Sequence, residues 1–407
     1  MATYFAGTLP ADPYFEDNDD LILLQQALLE VYSDEEPIDY GDSPIDVGAS
    51  GTALRFVAAV CASSPGADYV ITGTPRLMER PMTPLIDLLK EAGAGIEAMG
   101  ESRHGPYRVK GGKIKGGEFS IRGDVSSQFI SAVMLASPTW EHGLILSFTT
   151  PLVSRPYVEM TAKLMERFGV KVHLESDRVI VEHGSYREPF HFEVEADWSG
   201  ASFFYEAAAI GAKELSLPHL TSPEKSLQGD AAASELFKRL GVNSKFDKEG
   251  AQLTGSPDLP EGKIELDFSD FPDLVLPFAV AALCRGVKFK ITGIGHLRHK
   301  ESDRIESLTA ESRKLGFEVK SGPDFIYWDG ETTEAEETPV IEPHDDHRVA
   351  MSFAMAALKT GAIKITHPRV VEKSFIDFWN QLPQLGLECK EENDVMTVTC
   401  MELPKKH

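Results

Sequence analysis

Hydrophobic residues recur along this chain in two interleaved patterns. Segments such as FSIRGD (119–124), FEVEAD (192–197) and KIELDF (263–268) alternate apolar and polar positions, the two-residue period of a β-strand. After them come runs of small apolar residues: TALRFVAAV, QFISAVMLA, SFFYEAAAI, LVLPFAVAAL and VAMSFAMAAL. Helices that are apolar on almost every side are buried ones. Another strand follows, as in YVITG, LILSFTT, FKITG and IKITH, and then an amphipathic helix that ends in glycine.

These signals repeat. The closing glycines are Gly93, Gly169, Gly241, Gly316 and Gly386, at steps of 76, 72, 75 and 70 residues. A glycine just past a helix end suits the left-handed C′ position, where a Cβ is strained. The buried helices open at Gly51, Ser127, Gly200, Asp273 and His347, at steps of 76, 73, 73 and 74. Two independent signals share one period of about seventy-four residues, which defines a tandem array. Each repeat reads as strand, buried helix, strand, amphipathic helix and two strands (βαβαββ). The expected class is α/β, with sheets outside and apolar helices inside. One period before Gly51 falls upstream of Met1. The first of six repeats is therefore expected to be incomplete, keeping a strand at ATYFAGTL (2–9) and a helix from 17–20 through LILLQQALLEV.

At 407 residues the chain exceeds a single core, and two domains are expected. No apolar run reaches membrane-spanning length, and residues 1–9 lack the basic and apolar segments of a signal peptide, so a cytoplasmic protein is expected. Cys61, Cys284, Cys389 and Cys400 form no CxxC pair and imply neither a disulfide framework nor a metal site. The net charge of −24 argues against a general nucleic-acid or anionic-membrane surface. An anionic ligand needs a local cluster of cations, and the sequence offers Arg55, Arg80, Arg155, Lys300, Arg304, Arg348 and Lys373.

Those cations fall close to the buried helices' N-termini, where free N–H groups and the positive end of the helix dipole favour phosphate and carboxylate. The strings concerned are DVGASGTALR (46–55), GTPRLMERP (73–81), GDVSSQF (123–129), LVSRPY (152–157), HKESDR (299–304) and DDHRVAM (345–351). None is a GxxxxGK[ST] phosphate loop, a GxGxxG fingerprint after a strand or a Ser–His–Asp arrangement. Taken singly, each residue has a plainer explanation. Asp273 could cap a helix, Lys300, Glu301 and Arg304 could form a surface ion-pair set, and His347 could be a structural histidine.

In order and together, the strings resemble those of the enolpyruvyl transferase family, in its 5-enolpyruvylshikimate-3-phosphate (EPSP) synthase branch. The likeness runs from about Asp17 to Lys373. It implies an inside-out α/β barrel fold in two domains of three repeats each, here 1–195 and 196–407 with a crossover near Glu195. It also implies an enzyme, a 3-phosphoshikimate 1-carboxyvinyltransferase of aromatic amino acid biosynthesis. The reaction transfers the enolpyruvyl group of phosphoenolpyruvate to the 5-hydroxyl of shikimate 3-phosphate and releases phosphate, with no metal or organic cofactor. By the resemblance, Ser126, Ser127, Gln128, Ser154 and Tyr157 hold shikimate 3-phosphate. Gly51, Thr52, Arg80, Arg304, His347, Arg348 and Lys373 bind substrate, most of them at phosphoenolpyruvate. Asp273 takes the attacking hydroxyl's proton, and Glu301, beside Lys300, handles the methylene proton. Its partners are then the two small-molecule substrates, for a chain expected to be a monomer.

The sequence departs from the family in one large respect. The family's opening Lys-Ser-x-Ser-Asn-Arg helix has no counterpart, and the period places it before residue 1. That leaves two alternatives to the plain transferase. One is a shortened relative impaired in turnover. The other is a transferase acting on UDP-N-acetylglucosamine, whose reactive Cys has no equivalent in Pro75–Pro81.

Overall fold

The structure is a computed structural model that describes residues 19–32, 44–99, 104–187, 192–211, 213–259 and 262–401. The strand expected over 2–9 lies outside the described residues. The chain divides into two compact units, Met1–Phe192 and Glu193–His407. Each has its own hydrophobic core.

The buried helices are Gly51–Ala62, Ser127–Ala136, Trp198–Gly211, Val275–Arg285 and His347–Met355. Along the first, Ala53, Leu54, Val57, Ala58 and Ala59 are wholly inaccessible to solvent. In the N-terminal unit the helix Asp19–Tyr32 packs on Gly51–Ala62, which packs on Ser127–Ala136. In the C-terminal unit the other three contact one another pairwise. Small residues allow helix axes to approach closely, which is why alanine dominates these segments.

Four of the repeats build a four-stranded sheet in one order: first, second, fourth and third strand. In the fifth repeat, Ile264–Asp267 pairs parallel with Phe289–Thr292, and Ile264 lies opposite Phe289. The buried helix Val275–Arg285 is the crossover that a parallel pair requires. Phe325–Trp328 then joins antiparallel on both sides, to Phe289–Thr292 and to Lys320–Ser321. All five period-marking glycines have positive φ: Gly93 108°, Gly169 83°, Gly241 83°, Gly316 91° and Gly386 74°. That is the conformation expected of them.

Two expectations are corrected. FEVEAD (192–197) is not a strand, and the fourth repeat's sheet has three strands, Val242–Phe246, Gly250–Gly255 and Glu214–Pro218. The segment's acidic side chains are used locally. Glu195 accepts from Ser226 Oγ and Leu227 N, and Asp197 accepts from Ser199 N and Gly200 N at the head of the next helix. In the sixth repeat the expected amphipathic helix breaks into short pieces, Pro368–Lys373, Phe378–Gln381 and Leu382–Leu385. Pro368 and Pro383 each remove a backbone donor there. Among the described residues no helix is long and apolar enough to cross a membrane.

Candidate active site

The helix N-termini carry the polar strings, because Ser and Asp caps start the helices there. In the N-terminal unit Ser50 Oγ accepts from Ala53 N at 3.1 Å, and Ser126 Oγ accepts from Gln128 N at 3.3 Å. The two helix heads meet through side chains. Gln128 Nε2 donates to Thr52 Oγ1 at 3.1 Å, and the Arg55 guanidinium lies 5.8 Å from the Phe129 ring centroid. Arg55 donates to Gly51 O and Pro81 O, both at 3.1 Å. Arg80, buried at the end of the short helix Pro75–Glu79, converges on the same point. A methyl group on Gly51 would lie 2.9 Å from Nη1 of both Arg55 and Arg80. Gly51, Thr52, Arg80, Ser126, Ser127 and Gln128 thus sit at two adjoining helix heads. Ser154, buried with a φ of 54°, heads the helix Arg155–Arg167 that carries Tyr157. Arg155 departs from the cationic group, pairing with Glu159 Oε1 at 2.9 Å and the Glu175 carbonyl at 3.1 Å.

In the C-terminal unit one charge network joins the fifth and sixth repeats. Arg304 is the first residue of the helix Arg304–Lys314, and its side chain is 2% exposed. Its Nε donates to Asp346 Oδ2 at 2.7 Å, Nη1 to Asp273 Oδ1 at 2.9 Å and Nη2 to Glu301 Oε2 at 3.1 Å. Arg348 Nη2 donates to the second oxygen of Asp273 at 3.0 Å, and Lys373 Nζ to the second oxygen of Glu301 at 2.7 Å. The i,i+3 pair of Glu301 with Arg304 is therefore part of a buried set, not a solvated surface pair. Asp273 lies in the turn Pro272–Leu274, directly before the helix Val275–Arg285.

Burial alone would raise the Asp273 carboxyl, but Arg348, Lys300 and Arg304 outweigh it and hold its pKa far below the usual carboxylate range. Asp346 is likewise opposed by burial and lowered, chiefly by Arg304. Arg304 is raised: its three carboxylate neighbours overcome the cost of burial. His347 moves the other way. Burial, with Arg348 and Lys373 adding to it, pushes it down to about 3, and its buried Nδ1 has no hydrogen-bond partner. The imidazole is neutral at any physiological pH, which suits it to hydrogen bonding and not to charge pairing.

Three members of this site were missed in the sequence. Asp346 is fully buried, is gripped by Arg304 and caps the helix His347–Met355 through Arg348 N at 3.0 Å. The signal was present in DDHRVAM, where an acidic residue directly precedes a buried helix. Ser302 Oγ donates to the same carboxylate at 3.2 Å. His296, driven down to about 4 by burial and then by Lys300, is a second neutral imidazole, and nothing in its local sequence marks it. Among the described residues no group of three His, Cys, Asp or Glu side chains is placed to hold a metal ion.

Residues 18–382 match the family EPSP synthase (3-phosphoshikimate 1-carboxyvinyltransferase). A 3-phosphoshikimate 1-carboxyvinyltransferase of Bacteroides fragilis (strain YCH46) is 40% identical over 355 residues, covering 86% of this chain and 85% of that protein. Its namesake from Hamiltonella defensa is 35% identical over 348 residues, covering 84% and 79%. The solved EPSP synthase of Acinetobacter baumannii shares the fold with a TM-score of 0.66 at 24% identity, over 94% of this chain and 89% of that one. The enolpyruvyl transferase NikO from Streptomyces tendae gives 0.59 at 15% identity, over 78% and 73%. With a family match over most of its length and relatives at this identity, the chain belongs to the EPSP synthase family.

Proposed function

We propose that this chain transfers the enolpyruvyl group of phosphoenolpyruvate to the 5-hydroxyl of shikimate 3-phosphate and releases phosphate. The observation that carries the chemistry is the position of Asp273, whose two oxygens accept from Arg304 and Arg348 respectively. These guanidinium groups are bidentate anion ligands by nature. An incoming anion that takes them over weakens their hold on Asp273 and returns basicity to its carboxylate.

In this scheme the resemblance assigns Gly51, Arg80, Arg304, Arg348 and Lys373 to phosphoenolpyruvate. Thr52 and His347 supply neutral hydrogen-bonding groups. Ser126, Ser127, Gln128, Ser154 and Tyr157 hold shikimate 3-phosphate. The 5-hydroxyl oxygen bonds to the enol carbon while its proton passes to Asp273. The methylene carbon takes a proton from the Lys300–Glu301 pair, giving a tetrahedral adduct. Loss of phosphate and return of that proton restore the double bond. Both carboxylates lie against cations, Asp273 between Arg304 and Arg348 and Glu301 between Arg304 and Lys373.

Phosphate release from the two substrates together tests the activity, and its absence would refute the reading. Asp273→Asn tests the base. Turnover should fall by roughly 10²–10⁴-fold, the range for a positioned general base, with shikimate 3-phosphate still bound. Unchanged turnover would remove Asp273 from its assigned role.

A further inference from the structure

The reactive turn of the C-terminal unit is held by a pair outside the charge network. Arg298 lies in the turn Gly295–His299 and uses all three guanidinium nitrogens. Nη1 donates to Asp303 Oδ2 at 2.7 Å, Nη2 to Gly322 O at 2.7 Å and Nε to Pro323 O at 3.4 Å. Asp303 divides its carboxylate: Oδ2 faces Arg298, while Oδ1 accepts from Ile305 N and Glu306 N, both at 3.1 Å, and caps the helix that begins with Arg304. Gly322 and Pro323 belong to the hairpin between Lys320–Ser321 and Phe325–Trp328. The same hairpin fixes the other end of the turn, where Gly295 N donates to Asp324 Oδ1 at 2.6 Å. Sheet, turn and helix cap are thus tied together by one side chain.

Arg298 and Asp303 are five residues apart, and their contact closes a loop over His299, Lys300, Glu301 and Ser302. We infer that Arg298 and Asp303 are positioning residues, a clamp that fixes Lys300 and Glu301 relative to Arg304. The inference rests on the proposed transferase reaction for what that positioning serves. Both side chains are about a third exposed, 30% and 32%, and exposed ion pairs add little to global stability. Their removal should leave a folded protein with a loosened loop. Lysine cannot replace Arg298, because one ammonium cannot span acceptors on three sides. Arg298 also lines a cavity of about 250 Å³, with Glu306, Thr309, Arg313, Phe317 and Val319. Truncating it to alanine widens that cavity and opens the vacated place to free guanidinium.

The test compares the full-length chain with Arg298→Ala and Arg298→Lys by amide hydrogen exchange, melting temperature and steady-state kinetics. Arg298→Ala should speed exchange within 299–306. It should lower kcat by about a hundredfold, the scale of a 1 Å misplacement, and leave KM for shikimate 3-phosphate within about twofold. Guanidinium at millimolar concentration should restore part of both the exchange protection and the kcat, and Arg298→Lys should behave like the alanine variant. Unchanged exchange over 299–306 overturns the clamp. Unchanged kcat, or a kcat loss matched by the unfolded fraction, overturns its positioning role. If the wild-type chain releases no phosphate, the parent reaction fails, while exchange in Arg298→Ala still decides whether the clamp exists.

Discussion

Arg304 grips Asp346 through a fork, with Nε on Oδ2 at 2.7 Å and Nη2 on Oδ1 at 3.2 Å, and neither side chain is appreciably exposed. Removing one partner of such a pair leaves an under-compensated charge. Asp346→Asn keeps the shape and the helix cap but removes the charge. It should lower the unfolding free energy by about 2–3 kcal/mol, and Asp346→Ala by about 1 kcal/mol more because the cap is lost too. Urea unfolding of the two variants checks both the size and the order.

Gly51 makes the opposite kind of prediction. Its backbone is ordinary helix, so alanine there gains up to about 1 kcal/mol of helix propensity. The added methyl group, however, would press at 2.9 Å on the tips of Arg55 and Arg80. Gly51→Ala should keep its melting temperature near that of the parent and raise KM for phosphoenolpyruvate by about tenfold, as expected when roughly 1.4 kcal/mol of uniform binding is lost. An unchanged KM would show that Arg80 acts elsewhere.

The repeat was legible because its signals are local. A left-handed glycine after a helix and an all-apolar helix both follow from short-range sterics and burial, and Gly93 through Gly386 and the five buried helices lie where the period puts them. FEVEAD misled because alternation describes any segment with every second residue polar. It does not say whether Glu195 and Asp197 face solvent beside a strand or cap nearby backbone, as they do here. The charged groups of the site were legible as types but not as a network. Asp273 and Arg304 of the fifth repeat meet Asp346 of the sixth, and only the packing of the buried helices shows which carboxylate meets which guanidinium.

His347 gives the molecule an acid sensitivity with a defined window. Its pKa falls from 6.5 unfolded to about 3 folded, through burial first. Below pH 6.5 the unfolded chain takes up a proton that the native one refuses, so stability declines as pH falls across that interval, by up to about 1.4 kcal/mol per unit. His296, lowered to about 4, titrates over the same range. Asp273 and Asp346 are ionised in both states until pH nears 3.8, the unfolded value, so they contribute no slope above it. His347→Gln should flatten the decline in stability measured by urea unfolding between pH 6.5 and about 5. An unaltered slope would contradict the burial of a neutral ring.

Glu206 sets a limit at the other end. It is fully buried in the helix Trp198–Gly211, and neither carboxylate oxygen has a hydrogen-bond partner. Burial raises its pKa well above 4.5, and the neighbouring Cys284 thiol is itself pushed up by burial and by Glu206. The folded state holds the proton more tightly, so this stabilisation is complete below pH 4.5 and is lost as pH rises through the folded value. Glu206→Gln should be close to neutral at about pH 5 and stabilising at about pH 9. Equal urea midpoint shifts at the two values would argue against a protonated carboxyl there.

The lattice of carboxylates around Arg304, Arg348 and Lys373 means that these cations are never idle. An arriving anion enters by exchange, evicting an internal partner before it gains one of its own. Each eviction leaves behind a carboxylate whose affinity for hydrogen ions has risen.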